Sequence, residues 1–369
     1  HLETFEDCLL VRYRQDGVLR IVDQVTSYQD ARALVKRFKV MANVDISHER
    51  ITQGGRISVQ LDGRGFDLRV SVVPVPEGES LVMRLFSKGS FTTTLAELGM
   101  SEQAKKRYRV FLDHPHGIVL ACGPTGSGKS TTLYASLKEI ARPDRKLLTI
   151  EDPIEYQMPG IIQVQVNNAP KEVEHRVTFA AALREFLRQD PDVILVGEIR
   201  DEETARTSIQ AALTGHLVFS TVHTNDAVGV VNRLKDQGVK PYLIATTLIG
   251  AVSQRLVRRI CPDCREPYPI SPEDQALFEL HDVAVSQLYR GRGCPACHGL
   301  GYRGRTGLYE VFAASEQIRE LIESEATALA ITRLARTQGM QSLLDDGLSK
   351  AAAGSVTLDE VRRVCIMDL

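Results

Sequence analysis

Apolar and polar positions alternate through much of the first 90 residues, and this pattern predicts a small α+β domain. Residues 30–41 instead carry apolar side chains at helical spacing, and residues 62–65, Asp-Gly-Arg-Gly, are a strong hairpin signal because glycine adopts positive φ without steric cost. Strand patterns occur at residues 9–14, 56–61, 66–73 and 80–86. We therefore expect residues 1–90 to form one domain. The small, polar run that follows suits a linker, which we place at residues 91–100.

Short apolar strands alternate with helical segments beyond the linker, as in a doubly wound α/β sheet. Each strand is followed at once by polar residues, and in such sheets ligands bind at the carboxyl ends of the strands. The strand patterns lie at residues 118–121, 147–150, 193–196 and 217–220. The expected order is an α/β core over 101–258, a Cys/Pro/Gly-rich insert over 259–310 and a helical region over 311–369.

Composition narrows the class of protein without identifying it. The chain has 369 residues, enough for two or three domains, and its 43% apolar and 25% charged residues are those of an ordinary globular protein. A formal net charge of −2 gives no overall basic bias toward nucleic acid. The longest nearly uncharged stretch, residues 241–253, falls short of the ~20 apolar residues of a membrane-spanning helix, so it suggests a buried helix.

Residues 123–130 spell a complete phosphate-binding loop, Gly-Pro-Thr-Gly-Ser-Gly-Lys-Ser, between a predicted strand and a predicted helix. The glycines let successive backbone N–H groups converge on phosphate, Lys129 offers a positive charge, and Ser130 offers a hydroxyl to Mg²⁺. A chance glycine-rich turn is the alternative, but every position of the pattern is filled. The predicted nucleotide-binding residues are Gly123, Pro124, Thr125, Gly126, Ser127, Gly128, Lys129, Ser130 and Thr131.

Acidic residues and a histidine follow three further predicted strands. Glu198 follows the strand at 193–196, where a carboxylate can hold the Mg²⁺ shell or orient the attacking water. Glu151, Asp152 and Glu155 follow another strand; clustered carboxylates suit metal or water activation, and a solvated acidic turn fits equally well. His223 is expected to sense the γ-phosphate, against the simpler alternative of a structural histidine. The predicted catalytic residues are Glu198, Glu155, Glu151 and His223, with Asp152 assigned to nucleotide binding.

These four motifs, in this order and spacing, resemble the Walker A, Asp, Walker B and His boxes of the secretion-ATPase superfamily that drives type II secretion and type IV pilus systems. The resemblance extends from residues 12–20 to residues 344–347. It implies a PAS-like N-terminal domain followed by a RecA-like ATPase domain, with ATP between them, in a ring that is usually a hexamer. It also implies that N-terminal arginines reach the γ-phosphate. By motif position these resemble Arg56 and Arg69, with Arg84 a weaker candidate and solvated strand arginines as the alternative.

Two C-x-x-C pairs, Cys261/Cys264 and Cys294/Cys297, carry a separate chemistry. Two such pairs can place four thiolates around one tetrahedral Zn²⁺ in a closed, structural site. Disulfides are the alternative, which a reducing cytosol disfavours. Retraction ATPases of the resembling family typically lack this array, so its presence suggests an assembly or secretion motor.

The expected cofactors are therefore ATP, Mg²⁺ and Zn²⁺, and the expected function is a hexameric ATPase that drives pseudopilus assembly in type II secretion. A type IV pilus extension ATPase is the alternative within the family. A RecA-like DNA motor is the alternative from another class, but we find no basic stripe with interleaved aromatics, so nucleic acid is not expected as a partner. A nucleotide-binding scaffold without turnover is disfavoured by the presence of both Lys129 and Glu198.

The resemblance also implies partners and a location. The expected partners are an inner-membrane platform protein and the cytoplasmic domain of a membrane anchor, so that contact with the membrane comes only through partners. The expected location is the cytoplasmic face of the bacterial inner membrane.

Overall fold

The computed structural model describes residues 1–87, 91–167 and 176–365, and the chain divides into two compact units. The first consists of His1–Phe91 and Glu155–Gln157, and the second of Thr92–Ile154 and Met158–Leu369. Residues 88–90, at the end of the expected N-terminal domain, lie outside the described residues, as do 366–369, at the end of the expected helical region.

The first unit is a six-stranded antiparallel sheet with the order β3-β2-β1-β6-β5-β4 and one helix, α1, Tyr28–Met41. Leu9, Val72 and Leu81 are fully buried in its core. The predicted hairpin is confirmed, because Asp62 and Gly63 both have positive φ between β4 and β5. The strands are β1 Leu2–Thr4, β2 Leu9–Gln15, β3 Val18–Val25, β4 Gln53–Leu61, β5 Arg64–Val75 and β6 Gly78–Ser87.

The second unit is built on a seven-stranded sheet with the order β15-β12-β7-β11-β10-β8-β9. Six strands run parallel, and β15 pairs antiparallel with β12. Its strands are β7 Gly117–Cys122, β8 Leu147–Glu151, β9 Ile162–Gln165, β10 Val193–Val196, β11 Leu217–Val222, β12 Leu248–Ile260 and β15 Tyr302–Ala313. The four strands predicted from apolar runs are β7, β8, β10 and β11, and every residue in them is buried. Their carboxyl ends lie at one edge of the sheet, which places the polar residues that follow them together.

Helices pack against this sheet. Most of them begin after a residue whose side chain accepts a hydrogen bond from a backbone N–H group in the first turn of the helix. Such N-caps are Ser101, Thr178, Asp201, Ser271, Ser315, Thr327, Ser342 and Thr357. The helices are α2 Glu102–Leu112, α3 Lys129–Ile140, α4 Phe179–Phe186, α5 Glu202–Leu213, α6 Gly229–Asp236, α7 Pro241–Thr247, α8 Pro272–Leu280, α9 Glu316–Glu323, α10 Ala328–Thr337, α11 Leu343–Ala352 and α12 Leu358–Val364.

Three segments differ from the sequence-based expectation. The stretch 241–253, expected as one buried helix, is helical only as far as Thr247 and continues as the first residues of β12, because its apolar residues from Leu248 onward pair with β7 in the sheet. The range expected as a linker contains a 3-10 turn, Leu95–Leu98, whose two leucines are buried. The range expected as a cysteine-rich insert, 259–310, contains two further 3-10 turns, helix α8 and a small antiparallel pair, β13 Arg265–Tyr268 and β14 Leu288–Gly291. Its last residues instead belong to β15 of the main sheet. No helix among the described residues is both long enough and apolar enough to span a membrane.

Candidate nucleotide site

The phosphate-binding loop joins the end of β7 to the start of α3. Gly123, Gly126 and Gly128 all have positive φ, with values of 137°, 78° and 92°. A Cβ on Gly123 would lie 2.6 Å from the carbonyl oxygen of Gln254, and one on Gly128 would lie 2.6 Å from that residue's side-chain nitrogen. Glycine is therefore required at both positions by backbone conformation and by the close approach of β12.

Lys129 opens α3 and is 9% exposed. Its ammonium group donates to the carbonyl oxygens of Gly123, at 2.8 Å, and Pro124, at 3.1 Å. The buried Ser127 hydroxyl has no hydrogen-bond partner among the described residues, so the loop retains a polar atom that a ligand can satisfy. The fold thus offers a cation, a hydroxyl and the positive N-terminus of α3 in one place, which suits a phosphate group.

The other predicted loop residues surround this centre. Pro124, Thr125 and Gly126 form the exposed tip of the loop, and Ser130 and Thr131 lie half-buried in the first turn of α3.

Glu198 and His223 are brought together by the parallel pairing of β10 with β11. The Oε1 atom of Glu198 lies 3.1 Å from Nε2 of His223, and the Glu198 side chain is only 16% exposed. Its other oxygen, Oε2, lies 2.7 Å from a terminal nitrogen of Arg200. The hydrogen bond and negative charge of Glu198, and then the charge of Asp152, raise the pKa of Arg200. Both oxygens of this carboxylate are therefore held by cationic or titratable side chains.

Arg200 contacts Glu198 but is not among the site residues predicted from the sequence. It lies two positions after Glu198 in the same motif, but an arginine after an acid on a loop carries no signal of its own. The signal comes from the fold, which turns the chain so that the Arg200 guanidinium meets the Glu198 carboxylate.

Glu151 occupies a different kind of environment from Glu198. It ends β8 and is 5% exposed, and its carboxylate accepts hydrogen bonds from the Tyr134 hydroxyl, from Thr149 Oγ1 at 2.6 Å and from Gln163 Nε2 at 3.2 Å. A buried carboxylate with three donors is well satisfied where it lies. These contacts favour a positioning role for Glu151 over direct action on a ligand.

The other acids of this motif are divided. Asp152 is exposed next to Glu151, and its charge acts on Arg200. Glu155 belongs to the first unit.

Arg56 and Arg69 lie in the sheet of the first unit. Arg56 on β4 pairs directly with Arg69 on β5, which pairs directly with Arg84 on β6. Side chains at directly opposed positions share one face of a sheet, so the three arginines form a row. The Arg69 guanidinium lies 5.4 Å from the centre of the Phe86 ring, within the range of a cation–π contact. Like charges in such a row repel one another unless an anion lies near them. Arg84 belongs to this row, so it is as good a candidate for binding an anion as Arg56 and Arg69.

The four cysteines of the C-x-x-C pairs form a separate cluster. Their Sγ atoms all lie within 4.8 Å of one another, with separations of 3.8 Å for Cys261–Cys294, 3.8 Å for Cys264–Cys297 and 3.7 Å for Cys294–Cys297. These distances are too long for disulfides, and all seven cysteines are free thiols. Four sulfurs at about 2.3 Å from one tetrahedral ion lie about 3.8 Å apart, so the cluster has the size that a metal ion needs.

Backbone groups tune one of these thiols. Burial would raise the pKa of Cys297, but the N–H groups of Cys294 and Gly301, each 3.2 Å from its sulfur, outweigh that effect and lower the pKa to about 6. A thiol that ionises readily is suited to metal binding, since the thiolate is the ligand.

Comparison with known sequences agrees with this arrangement. The family described as "Type II/IV secretion system protein" matches residues 1–363. The chain is 50% identical over 364 residues to a Vibrio cholerae protein named type II secretion system ATPase E, covering 99% of this chain and 71% of that one. It is also 50% identical, with the same coverage, to type II secretion system protein E of Pseudomonas aeruginosa.

Comparison with solved structures bears on the fold. The pilus retraction motor PilT, solved with bound ADP, has a TM-score of 0.64 at 25% identity over 98% of this chain and 90% of that chain. The Legionella pneumophila ATPase DotB has a TM-score of 0.68 at 21% identity, over 97% and 91% of the two chains, which shows a shared fold. The expected fold class, an α/β P-loop ATPase domain after a small α+β domain, is confirmed.

Proposed function

We propose that this chain, which belongs to the type II/IV secretion system protein family and is an ATP hydrolase, drives pseudopilus assembly in type II secretion. The names of its half-identical relatives support type II secretion. The alternative within the family, a type IV pilus extension ATPase, is kept because the nucleotide motifs do not distinguish the two tasks.

The observation that carries the enzymatic assignment is the contact of Glu198 with His223 at the strand edge that also bears the phosphate-binding loop. We assign Lys129 and the loop backbone to the phosphates of ATP, and Ser130 to the shell of Mg²⁺. Mg²⁺, when bound, neutralises charge that develops on the phosphate oxygens. Glu198 orients the attacking water. His223 senses the γ-phosphate through its contact with Glu198.

The remaining candidates receive narrower roles. Asp152 and Glu155 stay candidates for nucleotide contact and catalysis, and Glu151 positions β8 against α3. We assign Arg56 and Arg69, and with equal weight Arg84, to the γ-phosphate, because guanidinium groups fork onto phosphate oxygens and stabilise transition-state charge. We also infer a homohexameric ring, because the family resemblance implies such an assembly.

We infer that the cysteine cluster holds one structural Zn²⁺, because four protein thiolates leave no open position for catalysis. We further propose that an inner-membrane platform protein and the cytoplasmic domain of a membrane anchor bind the ring on the cytoplasmic face of the bacterial inner membrane. Nucleic acid is not proposed as a partner.

The experiment is steady-state phosphate release by the whole chain with Mg²⁺ and ATP, with and without single-stranded DNA. The proposal expects ATP-dependent release that DNA leaves unchanged. Absence of release would contradict the enzymatic assignment, and strong stimulation by DNA would favour the DNA motor. Capture of the chain with membrane extract then tests the partner, because a multi-spanning inner-membrane protein should co-purify with it.

A further inference from the structure

Glu310 is a buried carboxylate that none of the nucleotide motifs includes. It lies on β15 and is 7% exposed. Its Oε1 atom accepts a hydrogen bond of 2.7 Å from the backbone N–H of Ala227, which is itself fully buried. Burying a carboxylate costs free energy unless strong contacts compensate. The contacts of Glu310 therefore indicate what this residue does.

Ala227 ends the loop that starts at His223, and we call residues 223–227 the His223 loop. The loop is folded tightly on itself, since the Thr224 hydroxyl donates to the Asp226 carbonyl oxygen at 2.9 Å and the Asp226 carboxylate caps the start of α6 at the Gly229 N–H, at 2.6 Å. Ala227 lies four residues after His223, and these contacts make the turn between them short and internally hydrogen-bonded.

Neighbouring strands hold the middle of the same loop. The Arg255 guanidinium on β12 donates to the Asn225 carbonyl oxygen at 2.8 Å, and the Cys122 thiol at the end of β7 donates to the Asp226 carbonyl oxygen at 3.2 Å. These groups contact backbone carbonyls, whereas Glu310 contacts a backbone N–H. Arg255 and Cys122 thus donate hydrogen bonds to the His223 loop, whereas Glu310 accepts one from it.

From this geometry we infer that Glu310 is a positioning residue for ATP hydrolysis: by holding the Ala227 N–H, it keeps the His223 loop where His223 meets Glu198. The inference rests on the proposed roles of His223 and Glu198. Glu310 touches neither nucleotide nor the reacting atoms in this account. It acts through the loop, so its loss should impair the chemical step more than the binding of ATP.

The test compares Glu310→Leu with Glu310→Gln in the whole chain. Leucine has a similar size but leaves the Ala227 N–H without an acceptor, whereas the glutamine amide oxygen can still accept it. We expect Glu310→Leu to lower kcat for phosphate release by at least about tenfold, as small misplacements of catalytic groups do, with KM for ATP within about twofold of wild type. Glu310→Gln should stay within about threefold of wild type in both parameters.

A purely structural role predicts a different result, in which kcat and KM change together or both variants lose activity equally; either outcome, or full activity of Glu310→Leu, overturns the inference. If Glu310→Leu does not fold, Glu310→Asp replaces it, because the shorter side chain withdraws the acceptor while keeping a carboxyl group, and the same loss of kcat is expected. A wild-type chain without phosphate release would refute the proposed function itself, whereas an active wild type with unaffected variants would refute only the role of Glu310.

Discussion

Glu198 Oε1 and His223 Nε2 lie 3.1 Å apart at the ends of adjacent parallel strands, and Arg200 holds the other oxygen of the same carboxylate. These two contacts restrict the orientation of the carboxylate. Fixed orientation is what a group needs if it is to place a water molecule for attack on a phosphate.

Arg200→Gln should lower kcat because Glu198 loses the partner of its Oε2 atom and is held less firmly, with the His223 contact at Oε1 remaining. We expect a loss of about tenfold, with KM for ATP little changed. Phosphate-release kinetics measure both values. Arg206→Gln is the matched control, because Arg206 is exposed and pairs with Glu202 on the surface of α5. Equal activity of Arg200→Gln and the control would show that Arg200 does not position Glu198.

Lys129→Ala should weaken ATP binding, because the loop loses its positive charge. Hydrogen bonds to charged groups contribute about 1.5–3 kcal/mol, so binding should weaken by about 10- to 100-fold. Equilibrium binding of ATP to the whole chain measures this directly. Lys106→Ala, on the exposed side of α2, serves as the control and should bind ATP like wild type. Unchanged affinity of Lys129→Ala would remove the loop from the nucleotide site.

Cys261→Ser should release the metal ion and destabilise the segment that surrounds it, since a hydroxyl is a much poorer zinc ligand than a thiolate. Metal analysis should give about one Zn²⁺ per chain for wild type and near zero for the variant. Cys8→Ser, a cysteine of the first unit outside the cluster, should retain the metal. Full zinc content in Cys261→Ser would contradict the proposed site.

Glu360 provides a prediction about stability and pH. This residue is 1% exposed and accepts hydrogen bonds from Arg258 and Arg363. Burial would raise its pKa, but the hydrogen bonds of Arg363 and Arg258 outweigh burial and lower the pKa to about 2. Because the folded-state pKa lies below the ordinary value of 4.5, the ionised side chain stabilises the fold above pH 4.5, and this contribution is lost as the pH falls toward 2.

Glu360→Gln should therefore lower the free energy of unfolding by about 3 kcal/mol at pH 7, and the difference from wild type should shrink as the pH falls below 4.5. Denaturant unfolding at several pH values measures it. The exposed Glu323→Gln on α9 is the control and should show little change at any pH. A difference for Glu360→Gln that stays constant across this pH range would show that ionisation is not its cause.

The sequence predicted those parts of the site that depend on local pattern. The phosphate-binding loop was readable because Gly123, Gly126 and Gly128 stand at fixed offsets from Lys129, and the buried strands because their apolar runs are continuous. The placement of Glu198 and His223 at the same edge of the sheet follows from the rule that ligands bind at the carboxyl ends of parallel strands, although their direct contact was not predicted. These inferences needed no knowledge of how distant side chains pack.

Contacts that depend on register and on packing across the sheet were not readable. Arg84 ranked below Arg56 and Arg69 because motif position does not give cross-strand register. Glu151 is predicted from the sequence to be catalytic, because the sequence does not show the donors around its carboxylate, from α3 and β9. Glu310 had no signal at all, since it meets Ala227 only through the order of strands in the folded sheet.

Single-turnover hydrolysis of bound ATP by Glu198→Gln tests whether Glu198 acts in the chemical step of hydrolysis, because this measurement separates ATP binding from chemistry. Glu185→Gln is the matched control, since Glu185 is an exposed glutamate of α4 that pairs only locally with Arg188. We expect Glu198→Gln to bind ATP like the control but to hydrolyse it at least about 100-fold more slowly. Hydrolysis by Glu198→Gln at the rate of the control would contradict this expectation.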